Sequence, residues 1–175
     1  MTMDLRYPIG RFEFPEKVEM SHIESWIKDL EYTPKSLKEA VSGLTQEQLD
    51  TPYRPEGWTV RQVVHHLPDS HMNSYINYRL GLLEDNPTVR STNVDALAQL
   101  FDAKTADIEW SLELLTGLHA RWVMLLRTLK REDFDRTIQQ PGRGERSLAL
   151  LLGTYSWHGK HHIAHITSLR ERMGW

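Results

Sequence analysis

The sequence predicts an all-α protein that folds as an antiparallel four-helix bundle with an extended N-terminal arm. Two observations favour this fold: four long segments carry apolar residues at helical spacing, and the alternating runs typical of β-strands are scarce. The chain has 175 residues, of which 39% are hydrophobic and 26% are charged, which is ordinary for one compact domain. We therefore expect a single domain over residues 1–175.

The first twenty residues contain Pro8, Gly10 and Pro15, which predict an arm that wraps around the domain. A helix is predicted from Ser21, because Ser21 and Glu24 have the spacing of a capping box. A proline within this helix is expected to bend it. The apolar stripe consists of Ile23, Ile27, Leu30, Leu37, Val41 and Leu44, and the proline is Pro34.

A short helical turn capped by Thr45 and Gln48 is predicted next, followed by a loop over residues 51–57. The second long helix is predicted over residues 58–84, where Pro68 is expected to bend it beside a group of histidines. Its buried face is expected to consist of Val60, Val63, Val64, Leu67, His71, Tyr75, Tyr78 and Leu82.

The second half of the chain predicts two more long helices. A short helix over residues 94–103 precedes a long one over residues 107–130, and a break follows at residues 141–144. Ser147 then caps a last helix that runs almost to Trp175.

Composition excludes several classes of function. The formal net charge of -3 leaves no basic field for nucleic acid, and no apolar run approaches the length of about 18 to 20 residues that spans a bilayer. The absence of cysteine excludes disulfides, thiolate zinc sites, iron–sulfur clusters and a cysteine nucleophile. Because the N-terminus does not resemble a signal peptide, we expect a cytoplasmic protein that binds neither nucleic acid nor membrane.

Histidine is the remaining metal-ligand type, and the last helix carries two pairs at i,i+4 spacing. These pairs are His158 with His162 and His161 with His165. The apolar stripe of that helix favours His158 and His162 for the bundle interior. Buried imidazoles need partners, so spacing alone leaves two alternatives: a bound metal ion or hydrogen-bonded core histidines.

The other helices offer further histidines. Amphipathy favours His71 on the second helix, whereas His66 lies towards its polar side, where neighbouring polar residues are typical of the edge of a wet cavity. The residues alone leave the choice among His65, His66 and His71 open. On the third helix, His119 is either a hydrogen-bonded interior histidine or a site residue.

Familiar catalytic motifs are absent. The histidine pair of the last helix is spaced as in H-E-x-x-H, but Gly159 replaces the glutamate that acts as general base, which disfavours a zincin mechanism. The sequence contains no P-loop, G-x-S-x-G or G-x-G-x-x-G motif. Arg136, Arg143 and Arg146 near the glycine turn form either a guide for an anionic substrate or a solvated loop.

Segments 57–67 (GWTVRQVVHHL) and 157–164 (WHGKHHIA) resemble the DinB-like superfamily of metal-binding four-helix bundles. A histidine eight residues after the tryptophan of the first segment is part of that likeness. The chain is most similar to the YfiT group, which is related to bacillithiol transferases. This likeness is carried by residues 7–10 (YPIG), 52–54 (PYR), 69–75 (DSHMNSY), 163–167 (IAHIT) and 173–175 (MGW).

The resemblance implies one zinc or nickel ion per chain, held by His66, His158 and His162, and it implies a homodimer. It thereby favours His66 over His71 on the second helix. Pro68 departs from the family, which usually has alanine there. Three neutral imidazoles would leave coordination positions open for water or substrate.

Two enzymatic functions follow from that resemblance. We expect first a thiol S-transferase, in which the ion activates a low-molecular-weight thiol of the bacillithiol type for attack on an electrophile. The alternative is a hydrolase that uses metal-bound hydroxide, with Asp69 or His119 as the catalytic base. A third hypothesis is a non-catalytic metal-binding bundle. The partners are then a small thiol and an electrophile, or a hydrolysable substrate, in a cavity whose mouth is shaped by residues 86–93 and 139–146.

Overall fold

The computed structural model describes residues 4–175. Its helices and strands, in chain order, are α1 (Met20–Val41), α2 (Gln46–Leu49), α3 (Val60–Leu83), α4 (Val94–Leu97), α5 (Phe101–Thr105), α6 (Ile108–Leu126), a 3-10 helix (Arg131–Asp135), β1 (Thr137–Gln140), β2 (Gly144–Ser147) and α7 (Leu148–Met173). The four long helices α1, α3, α6 and α7 form a bundle, which confirms the predicted fold class. None of the helices in the described part is long and apolar enough to cross a membrane.

Helix order in the bundle differs from a simple up-and-down arrangement. The consecutive helices α1 and α3 each pack against both α6 and α7, so they lie across the diagonal from one another. Helices α1 and α7 run parallel, because Asp29 contacts Ser156 and Ala40 contacts Arg170. Helices α3 and α6 are likewise parallel. Helices α3 and α7 are antiparallel, because His66 contacts His158 whereas Gly81 lies against Leu148, and it follows that α1 and α6 are antiparallel as well.

The predicted caps Thr45 and Ser147 agree with the structure, whereas α3 begins at Val60, two residues after the predicted start, with Thr59 as its cap. Each of these three side chains accepts a hydrogen bond from the backbone N–H three residues later. The predicted capping box of Ser21 and Glu24 is wrong, because α1 begins one residue earlier. There the Glu19 N–H donates to a histidine side chain, His22 Nδ1, at 3.0 Å. Both α1 and α3 continue through their internal prolines.

The region between α6 and α7 contains a feature that the sequence analysis missed. At the predicted break over residues 141–144, residues 141–143 form the turn of an antiparallel hairpin and Gly144 begins β2. Gly142 and Gly144 adopt φ angles of 78° and 76°, a region that favours glycine. Each strand has four residues, which is too short for an alternating pattern to stand out. The helix predicted over residues 94–103 is likewise two short helices, α4 and α5.

The interior of the bundle holds two apolar clusters with a layer of histidines between them. One cluster includes Leu30, Tyr78 and Trp122, and the other includes Leu37 and Val64. The histidine layer comes from the middle of α3, α6 and α7. Its buried or nearly buried members are His66, His71, His119, His158 and His162.

The N-terminal arm packs along α7, as predicted, over the part that the structure describes. Residues 4–19 precede α1 without helix or strand. Trp157 Nε1 donates to the carbonyl of Gly10 at 3.2 Å, and His165 Nε2 donates to the carbonyl of Arg6 at 3.1 Å. The arm thus covers the outer side of the histidine run on α7.

Candidate metal centre

Three histidine side chains converge between α3 and α7. One ring nitrogen each of His66, His158 and His162 lies within 4.8 Å of the others, and the Nε2 atoms of His66 and His158 are 3.2 Å apart. The i,i+4 spacing places the two α7 residues on one face of that helix, and α3 crosses it in the opposite direction. We call these three residues the histidine triad. No carboxylate belongs to this group in residues 4–175.

The protonation states suit a divalent metal. Burial lowers the pKa of His66 to about 4 and lowers the pKa values of His158 and His162 well below their ordinary 6.5. The rings are therefore neutral at pH 7 and carry free lone pairs, which zinc and nickel accept. A hydrogen bond between His66 and His158 would satisfy only that pair, whereas one ion would bind all three rings. The triad therefore fits a metal ion.

A chain of hydrogen bonds orients the ring of His158 through its Nδ1 atom. His119 Nδ1 lies 2.6 Å from the Leu30 carbonyl oxygen, His71 Nδ1 lies 2.9 Å from His119 Nε2, and His158 Nδ1 lies 3.0 Å from His71 Nε2. A carbonyl oxygen can only accept, so His119 must donate through Nδ1. With neutral rings, His71 then donates to His119 and His158 donates to His71.

This chain fixes the tautomer of a triad member. Because His158 Nδ1 carries its proton, the lone pair of Nε2 points away from the chain towards His66. His71 and His119 are almost wholly inaccessible to solvent, and burial lowers the pKa values of both, which keeps them neutral. His71 therefore contacts His158 on the side opposite to His66 and His162. It is fully buried, as the amphipathic pattern predicted.

A second histidine group overlaps the triad. His161, His162 and His165 also bring ring nitrogens within 4.8 Å of one another. We call His161 and His165 the arm pair, because the N-terminal region covers them. Tyr7 lies against His161 with ring centroids 5.6 Å apart, and Tyr53 stacks on His165 at 4.0 Å. The arm pair thus lies under a layer of aromatic rings and, together with His162, lines a pocket of about 360 Å³.

The triad lines a cavity of about 460 Å³. Two mouth segments contribute to it as predicted: Ser91 and Thr92 come from one, and Gln140, Arg143 and Arg146 come from the other. The indole rings of Trp58 and Trp157 line it as well. This volume is typical of a small-molecule site.

Of the two residues predicted as catalytic, one lies in this cavity. Asp69 lines it from α3, and burial, with a smaller contribution from the charge of Asp102, raises the pKa of its carboxyl group. His119 does not line it, because its ring is committed to the hydrogen-bond chain. Gly159 faces α1, where an added Cβ would lie 2.9 Å from the side chain of Thr33. A glutamate at this position would therefore point away from the triad.

Comparison with known proteins shows the family. Residues 29–166 match the DinB superfamily domain. The chain belongs to the DinB superfamily. YfiT from Bacillus subtilis superposes with a TM-score of 0.95 at 51% identity, covering 98% of each chain. TT2238, a four-helix bundle protein, superposes with a TM-score of 0.56 at 20% identity over 81% of this chain and 94% of its own, which shows the fold alone.

Two further relatives are similar to this chain over nearly its whole length. Proteins from Bacillus cereus (strain ATCC 10987 / NRS 248) and Bacillus anthracis (strain CDC 684 / NRRL 3495) are 51% identical over 172 residues, which is 98% of this chain and 99% of theirs. Their names, like the description of YfiT, propose a metal-dependent hydrolase. YfiT is also described as having an unusual four-helix bundle topology, and the helix order found here departs from a simple up-and-down bundle.

Proposed function

We propose that this member of the DinB superfamily is a metal-dependent hydrolase whose ion is one zinc or nickel per chain, held by His66, His158 and His162. The observation that carries the proposal is the convergence of three neutral ring nitrogens on the wall of a small-molecule cavity. An ion with three neutral ligands retains its charge and open positions, and it lowers the pKa of a bound water or thiol.

The protein residues supply the remaining requirements of hydrolysis. Asp69 is the one carboxylate in the described lining of the cavity, and its raised pKa suits a group that takes a proton during the reaction. Trp58 lies against the triad, with its ring tilted 4.8 Å from that of His66 and stacked 6.3 Å from that of His162. His71 and His119 act as positioning residues, because they hold the ring of His158.

Thiol transfer is the second candidate, and a specific observation favours it. Arg143 and Arg146 line the cavity that also contains the triad, so an anionic small thiol of the bacillithiol type would meet positive charge there. Activation of a thiol by the ion needs no carboxylate base. The two candidates therefore differ in their dependence on Asp69.

A single variant separates the two reactions. We expect Asp69→Asn to lower ester or amide hydrolysis by about 100-fold or more, because a general base contributes that much, while thiol conjugation to an electrophile stays within twofold. Wild type and Asp69→Asn are assayed for both reactions, with and without a chelator, and Asp85→Asn serves as an exposed control. Hydrolysis that persists in Asp69→Asn would contradict the role of Asp69 as general base. The absence of both reactions in metal-loaded protein would favour a non-catalytic bundle.

The proposal includes a homodimer, as the resemblance implies. The outer face of α6 supports it, because Trp110, Leu114 and Met124 are exposed there. Light scattering after gel filtration tests it, with a dimer expected for wild type and a monomer for Met124→Glu. A monomeric wild type would contradict it.

A further inference from the structure

Arg146 is a buried arginine whose hydrogen-bond partners are neutral. It is 9% exposed, and its guanidinium donates to Gln140 Oε1 at 3.1 Å and to Thr154 Oγ1 at 2.7 Å. No carboxylate lies within ion-pair distance of it in residues 4–175. Burying a charge without a counterion costs free energy, so a purely structural role does not account for Arg146.

The other arginines show what a structural role looks like in this protein. Arg61 is 5% exposed and its Nε lies 2.7 Å from the carboxylate of Asp50. Arg136 donates to two backbone carbonyl oxygens, those of Gly81 and Glu84. Both tie loops to helices. Arg146 instead contacts the side chains of its own hairpin and of the first turns of α7.

The charge that acts most strongly on Arg146 is that of another arginine. Burial lowers the pKa of Arg146, and the charge of Arg143 lowers it further. Both residues line the cavity of about 460 Å³. The guanidinium group has five N–H donors, of which two donate to Gln140 and Thr154, so others remain for a ligand.

Arg146 also lies within reach of the triad. Its partner Thr154 precedes His158 by four residues on α7, which is about 6 Å along the helix axis. Both Thr154 and His158 line the same cavity. A small molecule that is bound at Arg146 can therefore place another of its atoms beside the triad.

We propose that Arg146, assisted by Arg143, is an anion subsite that binds a carboxylate or phosphate group of the substrate. The guanidinium group forms charge-assisted, bidentate hydrogen bonds with such groups, which fixes the orientation of the ligand. The substrate of this protein is then a small anionic molecule. The position of its reacting end rests on the proposed function, whereas binding of the anion does not require the metal.

The test measures anion binding to metal-free protein, so that an ion cannot bind the probe. Inorganic phosphate and succinate are titrated separately by calorimetry in a buffer of low ionic strength. We expect wild type to bind at least one of them and Arg146→Gln to bind it about tenfold or more weakly. Arg146→Lys retains charge but not the planar fork, so we expect an intermediate affinity. Lys35→Gln, which removes one exposed charge on α1, serves as the control and should match wild type.

The outcomes are separable. Binding of phosphate alone or succinate alone supports the subsite and identifies the group that it prefers. Equal affinity in wild type and Arg146→Gln, or no binding of either probe to wild type, would overturn it. Circular dichroism establishes whether each variant is folded. If Arg146→Gln does not fold, the affinity of Arg146→Lys is compared with that of wild type instead. Metal content and hydrolysis are measured on the same preparations, so that loss of the proposed function with retained anion binding is recognised.

Discussion

Helix α7 contains two histidine pairs with the same spacing and different surroundings. His158 and His162 face α3, where a third imidazole, that of His66, completes a cluster beside a cavity. His161 lies against Tyr7 of the N-terminal arm and also reaches that cavity, whereas His165 stacks on Tyr53 of the loop before α3. Both pairs are at i,i+4, and both are nearly buried. The spacing therefore creates a pair, and the element packed against it determines what the pair can bind.

Hydrogen bonding sharpens this contrast. His158 Nδ1 donates into a chain that ends at the Leu30 carbonyl, which leaves its Nε2 free to bind a metal. In the arm pair, His165 Nε2 donates outward to the Arg6 carbonyl, so this nitrogen holds the arm in place. We therefore propose that the triad binds the metal and that the arm pair has a structural role.

The largest expected effect is the loss of stabilisation by metal. Wild-type protein should gain about 4.1 kcal/mol of unfolding free energy when zinc or nickel is present at about 1,000 times its Kd. His158→Ala should gain nothing measurable, whereas His161→Ala should gain as much as wild type. Denaturant unfolding with and without metal measures this. Equal losses in both variants would mean that the two pairs do not differ in the way proposed.

The hydrogen-bond chain predicts acid sensitivity in the metal-free protein. Burial lowers the pKa of His119 from 6.5 to about 4, so the stability that depends on its neutral form is complete above pH 6.5 and is lost as the pH falls towards 4. The contribution is about 3 kcal/mol. In His119→Gln, a group that does not titrate, unfolding free energy should fall by about that much less across this interval. Identical pH dependence in the two proteins would refute the lowered pKa.

The orienting role of His71 predicts a weaker metal site when His71 is replaced. His71→Phe keeps much of the ring volume but removes the acceptor for His158 Nδ1, so metal affinity should fall by about 10-fold to 100-fold. His71→Gln offers an acceptor again and should recover part of that loss. Competition with a chromophoric chelator measures the affinity, and the visible spectrum of the cobalt-loaded protein reports on ligand geometry. An unchanged affinity and spectrum in His71→Phe would show that the chain does not position His158.

The smallest effect is expected in the arm pair. His165→Ala removes one hydrogen bond to the Arg6 carbonyl and should lower the unfolding free energy by about 1 kcal/mol, with metal affinity within twofold of wild type. Proteolysis of the arm should become faster. A large fall in metal affinity in His165→Ala would show that His165 belongs to the metal site.

The sequence predicted the bundle well because each long helix carries an apolar stripe. Site residues were harder. Amphipathy placed His66 on the polar side of its helix, but α4 and α5 cover that side, and Gln62 Nε2 donates to the Ala98 carbonyl there at 2.7 Å. Only the resemblance to the DinB-like superfamily favoured His66.

Other roles depend on contacts that no local pattern encodes. His71 orients His158 only because His119 reaches the carbonyl of Leu30, a residue distant in sequence. Arg146 differs from Arg136 through its neighbours in the folded hairpin, and that hairpin was not predicted. Such roles follow from the packing of elements and require the structure.

The most direct test of the central claim is the metal content of protein purified without a histidine tag. Elemental analysis of wild type, His162→Ala and His165→Ala should find about one zinc or nickel ion per chain in wild type and His165→Ala, and none in His162→Ala. A wild type that binds no metal even after reconstitution would contradict the account. Retention of metal in His162→Ala, or equal loss in His165→Ala, would contradict it as well.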